Sequence, residues 1–495
     1  MKLSELAKRL VAAEIIGDGD TEFIGLEKDS RTVQAGMLFL CVKGERADGH
    51  NFAQEAVSRG ASAIVAERRL ELDTPQLIVK DSRLAASIIA DYVYGHPSGE
   101  IKVIGVTGTN GKTTTTYLLE KILNDCKRTA GVIGTIEARY SGQRLPMSGT
   151  TPETHQLQRL LREMLNEGVQ YCAMEVSSHA LEQGRVKGCK FRSAIFTNLT
   201  QDHLDYHGSM ENYAAAKGLL FSRLGNAYGD PQHERSYAIL NADDEASAVF
   251  RRLTSAEVIT YGLDNAADIT ASDIVISAEG SSFTVSGFGG TAAIKLRMPG
   301  RFNVYNALAA IAASLLEGIS LADIKTSLES IQGVPGRVET VDLGQPFSVI
   351  VDYAHTPDGL RNVLAAVKEF AARRTITVFG CGGDRDRTKR PVMGQIAAEY
   401  SDYVIVTSDN PRSENPDSII SEIEAGLIQA GLSPSQYALV TDRRKAIEKA
   451  VEMASQGDVV LIAGKGHETY QLIGGQTFPF DDRITAMEAI RGILH

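Results

Sequence analysis

IKVIGVTGTNGKTTTTYLL, residues 101–119, reads as a buried strand, a glycine-rich turn and the start of a helix in immediate succession. Such a turn points backbone N–H groups at an anion and adds the positive end of a helix dipole. Gly108 and Gly111 let the backbone come close to a phosphate, Lys112 reaches the outer phosphates, and Thr113 offers a hydroxyl to Mg2+. Thr109, Asn110 and Thr114 complete a loop suited to ATP. The generic GxxxxGK[ST] loop has a glycine where this chain has Val106, so the match is to the variant TGTNGKT.

Outward from this loop, short β-branched runs alternate with helical patterns, the mark of parallel sheets with crossover helices. With 495 residues, the chain has room for roughly three domains at about 150 residues each. MLFLCV (37–42), SAIVA (62–66) and QLIV (76–79) suggest a small N-terminal α/β domain, 1–98. YCAMEV (171–176), AIFTNL (194–199) and SYAIL (236–240) join the strand at 101–107 in a central domain, 99–333, built on a P-loop ATPase-type parallel sheet. Its tail, 257–298, alternates like a set of hairpins before a helix near Asn303. FSVIVD (347–352), TITVFG (375–380), DYVIVT (402–407) and DVVLIAG (458–464) predict a C-terminal Rossmann-like, doubly wound domain, 334–495. The fold class is thus α/β in three domains, with hinges expected near 98 and 335.

A net charge of −11 disfavours a nucleic-acid partner, which would need clustered Lys and Arg. MKLSELAKRLVAAEI reads as an amphipathic helix rather than a signal peptide, and no run approaches the length of a membrane span, so a cytoplasmic protein is expected; a monomer is the working expectation, although the sequence does not fix oligomeric state. The five scattered cysteines lack CxxC spacing and are expected to be buried thiols.

ATP chemistry needs metal acceptors beside the phosphate cradle. Glu175 ends the strand YCAMEV, and His203 stands among carboxylates in NLTQDHLDYHG (198–208). Together with TGTNGKTT, MEVSSHAL (174–181), Lys217, the Asn303 and Asn306 pair, GRVE (336–339) and DYAHTPD (352–358), these motifs occur in an order that resembles the Mur ligases, cytosolic ATP-dependent amide-forming enzymes of peptidoglycan precursor synthesis. The resemblance implies that Glu175, His203, Thr113 and Lys217, the last as a carbamate, hold Mg2+. It also implies that Asn303, Arg337 and Asp352 serve ATP. In that chemistry a substrate carboxylate takes the γ-phosphoryl group, and an amine then displaces phosphate from the acyl phosphate.

Arg412, in the loop TSDNPR (407–412) after the strand DYVIVT, offers a planar fork for a carboxylate. Asp409, Asn410, Pro411 and Arg412 resemble the motif of the family branch that adds meso-diaminopimelate, and Arg385, Gly464 and Glu468 match its remaining amino-acid contacts. By the same resemblance Ser30 belongs to a uridine-diphosphate site, and Thr150, Thr151, Ser177, Gln183 and Arg185 hold a UDP-muramoyl dipeptide. A lysine-adding sibling would depart at Arg412. Folylpolyglutamate synthetase shares the phosphate loop but does not account for DNPR, and a nucleotide sensor without chemistry would not need the metal cluster.

Overall fold

Three main sheets follow one another in the computed structural model, which describes residues 1–44, 47–147, 149–226, 231, 234–277 and 279–494. The first has the order Glu14–Ile16, Gln76–Ile78, Ala63–Ala66, Met37–Leu40, Gly25–Glu27, parallel except where Glu14–Ile16 runs against Gln76–Ile78. The amphipathic helix expected over the first fifteen residues is wrong in extent. A helix spans only Leu3–Ala7, where Leu3 and Leu6 are buried, and Ala12 then turns with φ +58°. Glu14–Ile16 leaves the helical pattern because it completes the sheet edge, a tertiary pairing that overrides local propensity.

The central sheet has eleven strands. Lys102–Thr107 lies between Phe191–Phe196 and Tyr171–Glu175, parallel to both, and is buried on both faces, which is why it reads as a continuous apolar run. Tyr237–Asn241 and Glu257–Gly262 extend the parallel run on one side and Ala130–Ile133 on the other. Ile269–Ser277 adds one more parallel strand beside Glu257–Gly262, and antiparallel pairing closes both ends: Glu137–Tyr140 with Gln143–Pro146 at one, Gly280–Gly287 and Gly290–Leu296 at the other.

Helix Lys112–Asp125 starts directly behind the glycine turn. Its first turns carry Thr113–Thr116, β-branched residues that favour helix poorly; all four are buried, so packing rather than propensity holds them. Helix Arg301–Leu316 is apolar on nearly every side, as a helix buried all round must be, and shares one core with the helix behind the turn.

The third sheet has the order Glu339–Thr340, Ser348–Asp352, Val459–Ala463, Thr375–Phe379, Tyr403–Val406, Tyr437–Leu439, with only the first strand antiparallel. Helices Pro357–Phe370, Lys389–Tyr400 and Pro416–Gln429 pack on one face through Leu364, Met393 and Ile423. Helices Arg443–Met453 and Asp482–Leu494 cover the other through Ile447 and Ala486, so the sheet is doubly wound, as the sequence predicts. Among the described residues no helix is long and apolar enough to cross a membrane. The central and C-terminal sheets bring the carboxyl ends of their parallel strands to two adjoining cavities.

Candidate active site

The glycine turn takes its shape from its neighbours. Gly108 has φ +150° and Gly111 φ +86°, values that L side chains rarely adopt. A Cβ at Gly108 would strike Thr197 Oγ1, and one at Gly111 would strike Asn306 Oδ1. Lys112 folds back, its Nζ donating to the carbonyls of Gly108 (2.9 Å) and Thr109 (2.7 Å). Burial lowers its ammonium pKa from the ordinary value, with the Glu175 carboxylate opposing. Asn110 N–H donates to Asn198 Oδ1 at 2.9 Å, and Asn110 Nδ2 to Asp358 Oδ2 of the C-terminal unit at 2.7 Å. Thr200 Oγ1 donates to the same Asp358 oxygen at 2.7 Å, so one carboxylate ties the loop to the neighbouring domain.

A cavity of about 510 Å³ opens beside the loop, lined by Lys112, Thr113, Glu175, Asn306, Arg337 and Asp352 among others. Arg337 donates to Thr113 Oγ1 at 3.1 Å and lies over the Tyr353 ring. Its buried Nε has no partner in the structure, a donor available to a ligand. Asp352 is held by the N–H groups of Val338 and Ala354, both at 2.8 Å, and burial raises its carboxyl pKa against the pull of Arg337. Asn306 reaches the cavity, whereas Asn303 stands one step behind it and supports Asn306 through a 3.2 Å hydrogen bond.

The sequence-predicted metal residues meet here in part. Glu175 is 1% exposed; Thr135 donates to it through N–H (3.0 Å) and Oγ1 (2.9 Å), and each carboxylate oxygen keeps a further lone pair. A Cβ at Gly134 would collide with that carboxylate, so glycine leaves it room. His203 lines the same cavity with φ +54°, its N–H donating to Asp202 Oδ1 at 2.8 Å. Burial lowers the His203 pKa, with Asp202 opposing. Lys217 is 1% exposed, its Nζ donating to the Gly108 carbonyl at 2.8 Å from beneath the loop. Burial first, then Lys112, holds its pKa well below the usual lysine range. Among the described residues no group of three His, Cys, Asp or Glu side chains gathers into a metal site. A hydroxyl, one carboxylate, one imidazole and a lysine make up the predicted set, which fits Mg2+ once the lysine carries a carboxylate.

The second cavity, about 730 Å³, is lined by Arg385, Asp409, Asn410, Arg412, Gly464 and Glu468 among others. Arg412 has φ +54°, a costly conformation off glycine. The hairpin Tyr470–Ile473 with Gln476–Pro479 braces it: Arg412 N–H donates to the Leu472 carbonyl (3.0 Å), and Gly474 N–H to the Arg412 carbonyl (2.7 Å). Below the loop, the fully buried Lys465 donates to Asn410 Oδ1 and Glu468 Oε2, both at 3.0 Å, and lies 3.4 Å from Asp409 Oδ1. Asn410 Nδ2 also donates to Glu468 Oε2 at 2.9 Å, and Gln471 Nε2 to the Asp409 carbonyl at 2.7 Å. Pro411 keeps close to Gly383, where a Cβ would strike its carbonyl. Arg385 projects at the cavity rim, held by its 3.1 Å bond to the Asp384 carbonyl.

The whole arrangement has relatives. Residues 22–102 match the Mur ligase family catalytic domain, 106–314 the Mur ligase middle domain, and 336–466 the Mur ligase glutamate ligase domain. The chain belongs to the Mur ligase family. A UDP-N-acetylmuramoyl-L-alanyl-D-glutamate–2,6-diaminopimelate ligase of Geobacillus thermodenitrificans is 51% identical over 491 residues, covering 99% of both chains. The ligase of the same name from Geobacillus kaustophilus is 50% identical with the same coverage. A solved structure of a ligase so named superposes with a TM-score of 0.71 at 32% identity, covering 100% of this chain and 99% of that one.

In this Mur ligase, four of the residues assigned to the dipeptide form one group. Arg185 donates to Gln183 Oε1 through Nε (2.9 Å) and to the Thr151 carbonyl (3.0 Å), and Ser177 N–H donates to Thr151 Oγ1 at 3.0 Å. Thr150 sits beside them, its hydroxyl 3.1 Å from that of Thr135. Ser30 lies apart in the N-terminal unit, on the turn Ser30–Thr32, and donates to Glu55 at 2.7 Å. Lys28 of the same segment reaches Glu153 at 2.8 Å, and Glu153 in turn pairs with Arg185, which carries the connection across. Sequence reasoning did not single out Lys465, Gln471, Asp358 or Thr135. The first two lie within six residues of Gly464 or Glu468, but nothing linear marks them as facing inward.

Proposed function

We propose that this Mur ligase joins meso-diaminopimelate to UDP-N-acetylmuramoyl-L-alanyl-D-glutamate at the expense of ATP, through an acyl phosphate, as a cytoplasmic monomer. The observation that carries the reading is the braced Arg412 in a cavity that shares a wall with the cavity beside the phosphate loop. Arg412 Nη1 donates to the Gly383 carbonyl at 2.7 Å, and the rest of its fork is left for the distal carboxylate of diaminopimelate, while Glu468 suits the distal ammonium; lysine has no such carboxylate and would leave that part of the fork unanswered. Units divided at 98 and 333 fit this, with left-handed backbone at His96 and Gly333 beside the junctions.

The residues divide the work. Thr151, Ser177, Gln183 and Arg185 orient the dipeptide so that its glutamate carboxylate faces the loop. Loop amides and Lys112, released from its own carbonyls, take the charge of the transferred phosphoryl group. Glu175, His203, Thr113 and a carbamylated Lys217 would hold Mg2+, which when bound neutralises phosphate oxygens. Burial favours the neutral amine of Lys217, the form that adds CO2 with its Nζ–C bond forming as a proton leaves. ATP-dependent phosphate release should require both muramoyl dipeptide and diaminopimelate, with strong preference over L-lysine. Arg412→Ala should lose roughly a hundredfold or more in kcat/KM for diaminopimelate and most of that preference. Equal turnover of the two amino acids by the unaltered protein would refute the assignment.

A further inference from the structure

Diaminopimelate arrives at neutral pH as an ammonium, without the lone pair that must attack the acyl phosphate. A proton acceptor is therefore needed where the two cavities meet. The residues that line both are Asp202, His203, Tyr353, His355 and Thr356. Asp202 is engaged by His203, accepting its N–H on one oxygen and lying 3.4 Å from its Nε2 with the other. His203 belongs to the metal set. Tyr353 is a phenol that burial keeps protonated. Thr356 Oγ1 accepts from Gly359 N–H as the cap of helix Pro357–Phe370.

His355 is different. Its Nδ1 lies 2.8 Å from the Tyr353 carbonyl, and because a carbonyl only accepts, the ring proton sits on Nδ1 and the lone pair on Nε2. Lys389 Nζ donates to the His355 carbonyl at 2.8 Å, and the ring packs on Tyr353 with centroids 4.6 Å apart, so backbone and ring are both held. The side chain remains open to the cleft.

We infer that His355 Nε2 is the base that deprotonates the incoming amine, an inference that rests on the ligase reading above. Nε2 takes one proton from the ammonium. The freed nitrogen lone pair forms the C–N bond to the acyl carbon, and the C–O bond to phosphate breaks with its electron pair leaving on phosphate. The departing phosphate takes a second proton from nitrogen, and the His355 imidazolium returns its own to water. Burial of the ring against the cleft walls, and after it the nearby Lys389 ammonium, lowers the His355 pKa from the ordinary histidine value.

The test uses nucleophile basicity. Hydroxylamine is largely unprotonated at neutral pH, so it reports acyl-phosphate formation without needing the base. In His355→Gln, diaminopimelate turnover should fall roughly 10²- to 10⁴-fold in kcat. Hydroxamate formation from muramoyl dipeptide, ATP and hydroxylamine should stay within about threefold of the unaltered protein. His355→Ala should show the same split, and the retained hydroxamate activity certifies a folded enzyme. Unchanged diaminopimelate turnover, or an equal loss with both nucleophiles in either variant, would overturn the inference. Failure of the unaltered protein to use diaminopimelate at all would instead overturn the ligase reading.

Discussion

Lys217 and Lys465 are both buried lysines with different partners. Lys465 meets three side-chain oxygens and fixes Asn410 and Glu468. Lys217 meets one carbonyl and the face of the Tyr213 ring, and burial first, then the neighbouring Lys112, lowers its pKa. Lys465→Met should raise the KM for diaminopimelate roughly ten- to a hundredfold, as loss of a supporting contact does, and leave the KM for ATP unchanged. Initial rates with each substrate varied in turn check this. Lys217→Ala should abolish phosphate release, and added acetate or formate should restore part of it; a fully active variant would remove the carbamate. At this scale the sequence marks residues that share a motif with known chemistry. Arg412 is legible because a strand-end loop is where a ligand belongs. Lys465 is not, since its partners Asn410 and Asp409 lie more than fifty positions away.

The phosphate loop is an element whose backbone is more constrained than its side chains. Gly108→Ala meets both a positive φ and the Thr197 hydroxyl, so the turn must open. Backbone strain of that kind costs about 1–3 kcal/mol before the loop amides are even displaced. Calorimetry should find nucleotide binding weakened by roughly a hundredfold, while far-UV circular dichroism keeps its shape. Elements with two buried faces were the easiest to read from sequence: Lys102–Thr107 and Val459–Ala463 appear as unbroken apolar runs. Gly25–Glu27 and Tyr437–Leu439 escaped because three-residue edge strands carry too few side chains to show a period. The N-terminal helix was overextended for a related reason. Its apolar spacing continues past Ala7, but Ala12 and the pairing of Glu14–Ile16 are decided elsewhere in the domain.

For the molecule as a whole, the contact between domains at the site joins polar groups to one apolar anchor, Phe302, which packs against the C-terminal core. Asp358 receives Asn110 and Thr200 from the central domain, and Arg337 reaches Thr113. Two hydrogen bonds at about 1 kcal/mol each make Asp358→Ala worth roughly thirtyfold in the balance between closed and open arrangements. Small-angle scattering of the free protein should show a larger radius of gyration, and saturating ATP with muramoyl dipeptide should reverse much of it; an unchanged radius would argue against this role. No pattern in DYAHTPD announces that its last carboxylate crosses to another domain, because closeness between domains is not written in local periodicity. The wall common to the two cavities has a pharmacological consequence. A single compound carrying a diaminopimelate-like head at Arg412 and a phosphate mimic at the loop would tether its second half at high effective concentration. Such a bisubstrate inhibitor would also have to prise nothing apart, since Asp202, Tyr353 and His355 already face both compartments.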